Sequence, residues 1–165
     1  VGRHGVALAQ MEAGRLCLLG NVFQRAQAGG GRYFPPVTDA VVKAECSSCH
    51  LAFAPSMLPA SSWSRMMGDL KNHFGDDASV DAATAEKITR YLTENAGDTG
   101  GQRYGRKLLK GISPENAPLR ITELPRWVRE HREVSAAEWK KKEVGSKANC
   151  TACHADAERG YYEDD

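Results

Sequence analysis

Two pentapeptides carry the chemistry of this chain: Cys46-Ser47-Ser48-Cys49-His50 and Cys150-Thr151-Ala152-Cys153-His154. Both read C-x-x-C-H, the attachment pattern of c-type haem. Thiols three positions apart on one turn can add across the two vinyl groups of a porphyrin as thioethers. The imidazole that follows then stands under the iron as an axial ligand. Other chemistries use part of the pattern. Cys46, Cys49, Cys150 and Cys153 could make a four-thiolate zinc site, and either pair could be a dithiol redox couple. Neither needs a His directly after each second Cys. Disulfides within the motifs are disfavoured because so short a loop closes with strain. Two covalently bound haem c groups, one per motif, use every specified residue.

A six-coordinate iron needs a second axial ligand. The chain has five histidines: His4, His50, His73, His131 and His154. Two close the motifs, and His4 lies in an N-terminal stretch with no haem motif of its own. His73 lies as far after His50 as His131 lies before His154. Local pairing is therefore natural: His50 with His73 on the first iron, His131 with His154 on the second. Methionine is the rival ligand, and Met57 in Ser56-Met57-Leu58-Pro59 is the candidate. Met66 and Met67 read as packing, and no Met follows them.

The elements that must position these groups read as short helices. Thr38 or Asp39 caps a helix through Val41, Val42 and Ala44 into the first motif. Residues 51–59 are irregular, broken by Pro55 and Pro59. Trp63, Met66, Met67 and Leu70 fall at helical spacing, which puts His73 on the same apolar face, with Gly75 ending the helix. A further helix runs from about Val80 to Asn95, with Thr84, Ile88, Tyr91, Leu92 and Asn95 on one side and Gly97 after its end. Glycines and prolines mark residues 97–125 as a linker with apolar points at Leu108, Leu109 and Ile112. Its cations Arg103, Arg106, Lys107 and Lys110 fit a solvated loop; the functional alternative is a docking patch for an acidic redox partner. Pro125 opens a helix on which Trp127, Val128 and His131 share a face. Ser135-Ala136-Ala137-Glu138 is a capping box, and Tyr161 to Asp165 is an acidic tail expected to fray.

At 165 residues and 41% apolar content, the chain allows one domain or two small ones. A lobe of about 60 to 70 residues is marginal on protein packing alone, and a porphyrin supplies the missing apolar surface. The expected division is an extension at 1–31, a haem domain at 32–97, and a linker with a second haem domain at 98–165. The net charge of +1 argues for no particular partner; no nucleic-acid partner is expected, and no apolar run approaches the roughly 20 residues of a membrane span. The stretch from Arg15 to Gly31 has the outline of a secretory leader, with Ala26-Gln27-Ala28 as an A-x-A site, although Arg25 fits a leader poorly. Cys17, among Leu16, Leu18 and Leu19, reads as a small buried hydrophobe.

The chain resembles the dihaem cytochrome c family often called DHC. The resemblance covers residues 33–165: Glu45 to Pro59, Asp69 to Gly75 with His73, Arg120 to Glu123, Arg129 to Glu133 with His131, and Asn149 to Gly160. It implies an all-α fold with two small haem-binding lobes. The N-terminal lobe is like a class I cytochrome c, and the C-terminal one is short helices and irregular chain around the second haem. It implies bis-histidine low-spin irons and an electron carrier rather than an enzyme. It also implies a place in the periplasm between a membrane cytochrome b and a small oxygen-binding cytochrome c. The alternative is a small dihaem enzyme or sensor, peroxidase-like, in which one distal His is displaced.

Overall fold

The computed structural model describes residues 32–163. Expectations for His4, Cys17, the leader-like stretch, Asp164 and Asp165 lie outside those residues. The described chain contains α1 (Ala40–Cys46), α2 (Ala60–Met67), α3 (Ala82–Glu94), α4 (Arg103–Leu108), α5 (Pro125–Glu130) and α6 (Ala136–Trp139), with single 3₁₀ turns between several of them. No β-strand occurs among the described residues, so the fold is all-α, as expected.

Local chemistry starts these helices. The Asp39 carboxylate accepts from the backbone N–H groups of Val41 and Val42 at the head of α1, and these bonds hold its carboxyl below the usual range. Asp81 does the same for α3 through Thr84. Ser135 and Glu138 form the reciprocal capping box of α6. Such caps occupy donors that the first turn cannot satisfy itself.

The core joins α1, α2 and α3. Val42, Leu58, Trp63, Ile88 and Leu92 are buried together. Each aliphatic side chain among them contributes about 1.5–3 kcal/mol relative to exposure. The Trp63 indole N–H donates to the Pro55 carbonyl at 2.8 Å, so its one polar atom is satisfied in the interior.

Three expectations change. The apolar face around Met66 does not run on as one helix to His73. Gly68 caps α2, Asp69 leaves helical geometry at φ −139° and ψ 50°, and a separate 3₁₀ turn at Leu70–Asn72 leads to His73. The stretch expected as a linker with apolar points at Leu108 and Leu109 contains α4 and packs more closely than a linker does. The buried Gly97 and Gly105 backbones pass against Ser56; a Cβ on Gly105 would lie 2.6 Å from the Ser56 carbonyl and 2.9 Å from the Gly97 Cα. Ser62 Oγ donates to the Pro118 carbonyl at 2.7 Å, and Arg65 donates to that of Ala117 at 2.9 Å. Leu108 and Leu109 are buried. Finally, the tail does not fray within the described residues. Tyr161 bridges Tyr33, Phe34 N–H donates to the Gly160 carbonyl, and Tyr162 N–H to that of Arg32.

Candidate haem sites

The first motif leaves the end of α1. Cys46 is that helix's last residue and packs against the core, whereas Cys49 and His50 are exposed. The His50 ring stacks on Phe53, with centroids 5.0 Å apart and planes within 21°. Its Nδ1 donates to the Leu51 carbonyl at 2.7 Å. That bond selects the tautomer whose Nε2 keeps a free lone pair, as a metal-bound histidine requires.

His73 arrives from the other side on a short antiparallel bridge with Asp76. The next residue, Phe74, takes φ +56°, an uncommon geometry for a bulky side chain. Phe74 is half-exposed, and the Arg120 guanidinium lies 3.9 Å above its ring. Burial pushes the His73 pKa below its ordinary value, with the His50 and Arg120 charges acting the same way. The neutral, ligating form is the favoured one. His73 Nδ1 is buried without a hydrogen-bond partner.

The second motif forms a 3₁₀ turn at Cys150–Ala152, with the His154 N–H bonded to the Cys150 carbonyl at 2.9 Å. His154 Nδ1 lies 3.4 Å from the Glu163 carbonyl, and the Tyr162 ring meets the imidazole edge-on. Facing it, His131 closes the C-terminus of α5. Its ring stacks on Trp127 with centroids 4.0 Å apart, and its Nδ1 donates to the Trp127 carbonyl at 2.9 Å. Val128 was expected on the same face but is 52% exposed. In so short a helix the stacking on Trp127, not a shared apolar stripe, places His131.

A largely apolar cavity is lined by His131 and Cys150 together with Phe34, Met57, Tyr104, Leu108, Trp127 and Tyr162. Arg32, Lys107 and Arg126 also border it, with Arg126 paired to Glu130 at 2.8 Å. Apolar walls with cations at the margin suit a porphyrin, whose faces are hydrocarbon and whose propionates are anionic. Met57, the rival ligand expected for the first iron, is buried and lines this second cavity instead.

The donor sets fit two haems. His50 and His73 have ring centroids 6.1 Å apart, and so do His131 and His154. Two metal–imidazole bonds of about 2 Å, with each ring centre about 1 Å behind its nitrogen, give a separation of about 6 Å across one iron. The rival chemistries fare worse. Among the described residues no group of three or more His, Cys, Asp or Glu is gathered to hold a metal ion, so the four motif thiols do not assemble a zinc site. All four are free. Burial raises the Cys46 thiol and pushes Cys150 up to about 11, the opposite of an activated redox thiolate.

Sequence patterning missed what surrounds the ligands. Nothing local in Arg32, Phe34 or Met57 points to a haem more than 90 residues away in the chain. The Trp127–His131 spacing carried a signal, since residues four apart on a helix are neighbours.

Comparison with known proteins identifies the family. The family model for dihaem cytochrome c matches residues 42–162. A solved diheme cytochrome c from Rhodobacter sphaeroides is similar at 46% identity, with 77% of this chain and 98% of that one covered and a TM-score of 0.69. A second structure, of DHC purified from the same organism, matches at 43% identity over 76% of this chain and 98% of that one, with a TM-score of 0.63. A diheme cytochrome from Shewanella baltica OS155 matches at 33% identity over 75% and 86%, with a TM-score of 0.61. No curated protein matches the chain.

Proposed function

We propose that this chain, which belongs to the dihaem cytochrome c family, holds both irons six-coordinate and low-spin, His50 and His73 on the first, His131 and His154 on the second. It is an electron-transfer haem protein with two covalently bound haem c groups. When bound, each supplies a one-electron ferric/ferrous couple. The chain's residues do the rest. Cys46, Cys49, Cys150 and Cys153 tether the porphyrins as thioethers. Carbonyls of Leu51 and Trp127 hold two imidazoles by their Nδ1–H groups, so ligand geometry is set before any electron arrives. Phe34, Met57, Leu108 and Tyr162 exclude water from the second site.

One observation carries this reading: each motif His faces a second imidazole at a separation that fits one iron between them. Two imidazoles on each iron would leave no position open to substrate, and little reorganisation would accompany electron exchange. Potentials should lie below those of His/Met cytochromes, because a thioether ligand raises the potential. Carbon monoxide added to the reduced protein tests it. An unchanged visible spectrum supports a closed carrier. A shifted spectrum means an open iron, and the peroxidase-like or sensor reading takes its place.

The periplasm is the fitting compartment, since thioether attachment of haem takes place outside the cytoplasm. No helix among the described residues is long and apolar enough to cross a membrane. By resemblance the partners are a membrane cytochrome b and a small oxygen-binding cytochrome c. The exposed cations of α4, Arg103, Arg106 and Lys107, offer such partners a basic face. Charge-neutral replacement of all three should slow electron exchange with an acidic partner about tenfold at low salt. The difference should vanish at high ionic strength, where exposed charges are screened. Equal rates at low salt would assign docking to another face.

A further inference from the structure

The two imidazole pairs are equally spaced but differently turned. The planes of His50 and His73 lie within 18° of each other. Those of His131 and His154 cross at 87°. Distinct contacts set each orientation. His50 lies flat against Phe53 and is tied to the Leu51 carbonyl. His131 lies within 15° of the Trp127 plane and donates to the carbonyl of that same residue. One residue thus fixes both the tilt of the ring and its rotation about the ligating axis. Trp139 stands on the same cluster, 5.8 Å from Trp127 and 6.1 Å from His131 by ring centroids. His154 is held separately, by the Glu163 carbonyl and the Tyr162 ring.

Orientation matters because the π orbital of an imidazole lies perpendicular to its ring. It mixes with whichever iron dπ orbital points the same way. Two parallel rings raise the same orbital and split the pair. Two crossed rings raise one each and leave the pair nearly degenerate. In the ferric state a split pair gives a resolved rhombic resonance. A near-degenerate pair keeps its orbital moment and gives a single broad low-field feature.

We propose that Trp127 is a positioning residue that holds the His131 ring crossed to that of His154, making the second iron electronically distinct from the first. The proposal deepens the bis-histidine reading above and rests on it. It gives the carrier two inequivalent centres although both have the same ligand types.

The test is low-temperature electron paramagnetic resonance of the oxidised holoprotein. The expected spectrum has one rhombic low-spin signal and one broad low-field signal in equal amounts. In His73→Ala the rhombic signal should go and the low-field signal stay, which assigns the latter to the second site. Trp127→Phe keeps a flat face against His131 and should retain the low-field signal. Trp127→Ala should lose it while leaving the rhombic signal unchanged. Two rhombic signals in the unmodified protein would overturn the proposal, as would an unchanged low-field signal in Trp127→Ala. A high-spin signal in the unmodified protein would instead overturn the ligand assignment beneath it. Should Trp127→Ala fail to take up its second haem, Trp127→Leu, which keeps apolar bulk but no flat ring, takes its place, and an unchanged low-field signal in it would overturn the proposal.

Discussion

Removing the His73 imidazole by His73→Ala will open one axial position and let the reduced protein bind about one equivalent of carbon monoxide per chain, where the unmodified protein binds almost none. Half of the haem absorbance should shift to a high-spin form and half should stay low-spin. The effect should be confined because His73 reaches its place on a local turn, bridged to Asp76 and preceded by the Leu70–Asn72 turn, not on a long packed helix. The substitution also deletes a buried Nδ1 that has no hydrogen-bond partner, so the fold loses little. Added imidazole should restore the low-spin spectrum by occupying the vacated position. Met57 is not placed to take over, since it lines the cavity of His131 and Cys150. A spectrum unchanged in His73→Ala would mean that another side chain ligates the first iron.

The motifs were legible because their chemistry is local. Five consecutive residues specify tether and first ligand, and Asp39 and Ser135 declare helix starts with side chains that reach only two or three positions. The pairing of His73 with His50 and of His131 with His154 is expected from the small number of histidines, and the structure brings both pairs to 6.1 Å. What failed depended on distant chain. The helix through Met66 was extended too far because apolar spacing carries no record of the backbone break at Asp69. Residues 97–125 read as a linker because their glycines and prolines signal breaks in isolation, Gly97 as a helix end and Gly105 as part of a loop. Here those two glycines allow two backbones to cross against Ser56, which is a packing requirement. The tail looked frayed because its acidic residues outvoted two tyrosines whose partners, Tyr33 and Phe34, lie at the other end of the described chain. Contacts do run across residue 97: Gly97 and Gly105 pack on Ser56, and the Pro118 and Ala117 carbonyls accept from Ser62 and Arg65.

Gly160 offers the sharpest test of that closure. It sits at φ +88°, in the left-handed region where a Cβ costs roughly 1–2 kcal/mol. A Cβ there would also collide with the Phe34 carbonyl and approach the Tyr33 ring to 3.1 Å. Neither backbone can yield without breaking the bonds from Phe34 N–H to Gly160 and from Tyr162 N–H to Arg32. Gly160→Ala should therefore cost about 3 kcal/mol or more, adding an overpacking penalty of roughly 1–3 kcal/mol to the backbone cost. Gly111 supplies the control. It has φ +85°, and a Cβ there would meet nothing within 4 Å, so Gly111→Ala should cost only the backbone part, roughly 1–2 kcal/mol. The difference in thermal midpoint between the two variants, roughly 4–8 °C for about 2 kcal/mol in a chain of this size, then measures the seam between residues 32–34 and 160–162. That seam carries Phe34 and Tyr162 into the second cavity, so Gly160→Ala should perturb the second haem's spectrum and spare the first. Equal midpoints for the two variants would show that the pairing of Tyr33 with Tyr161 contributes nothing to holding the second site closed.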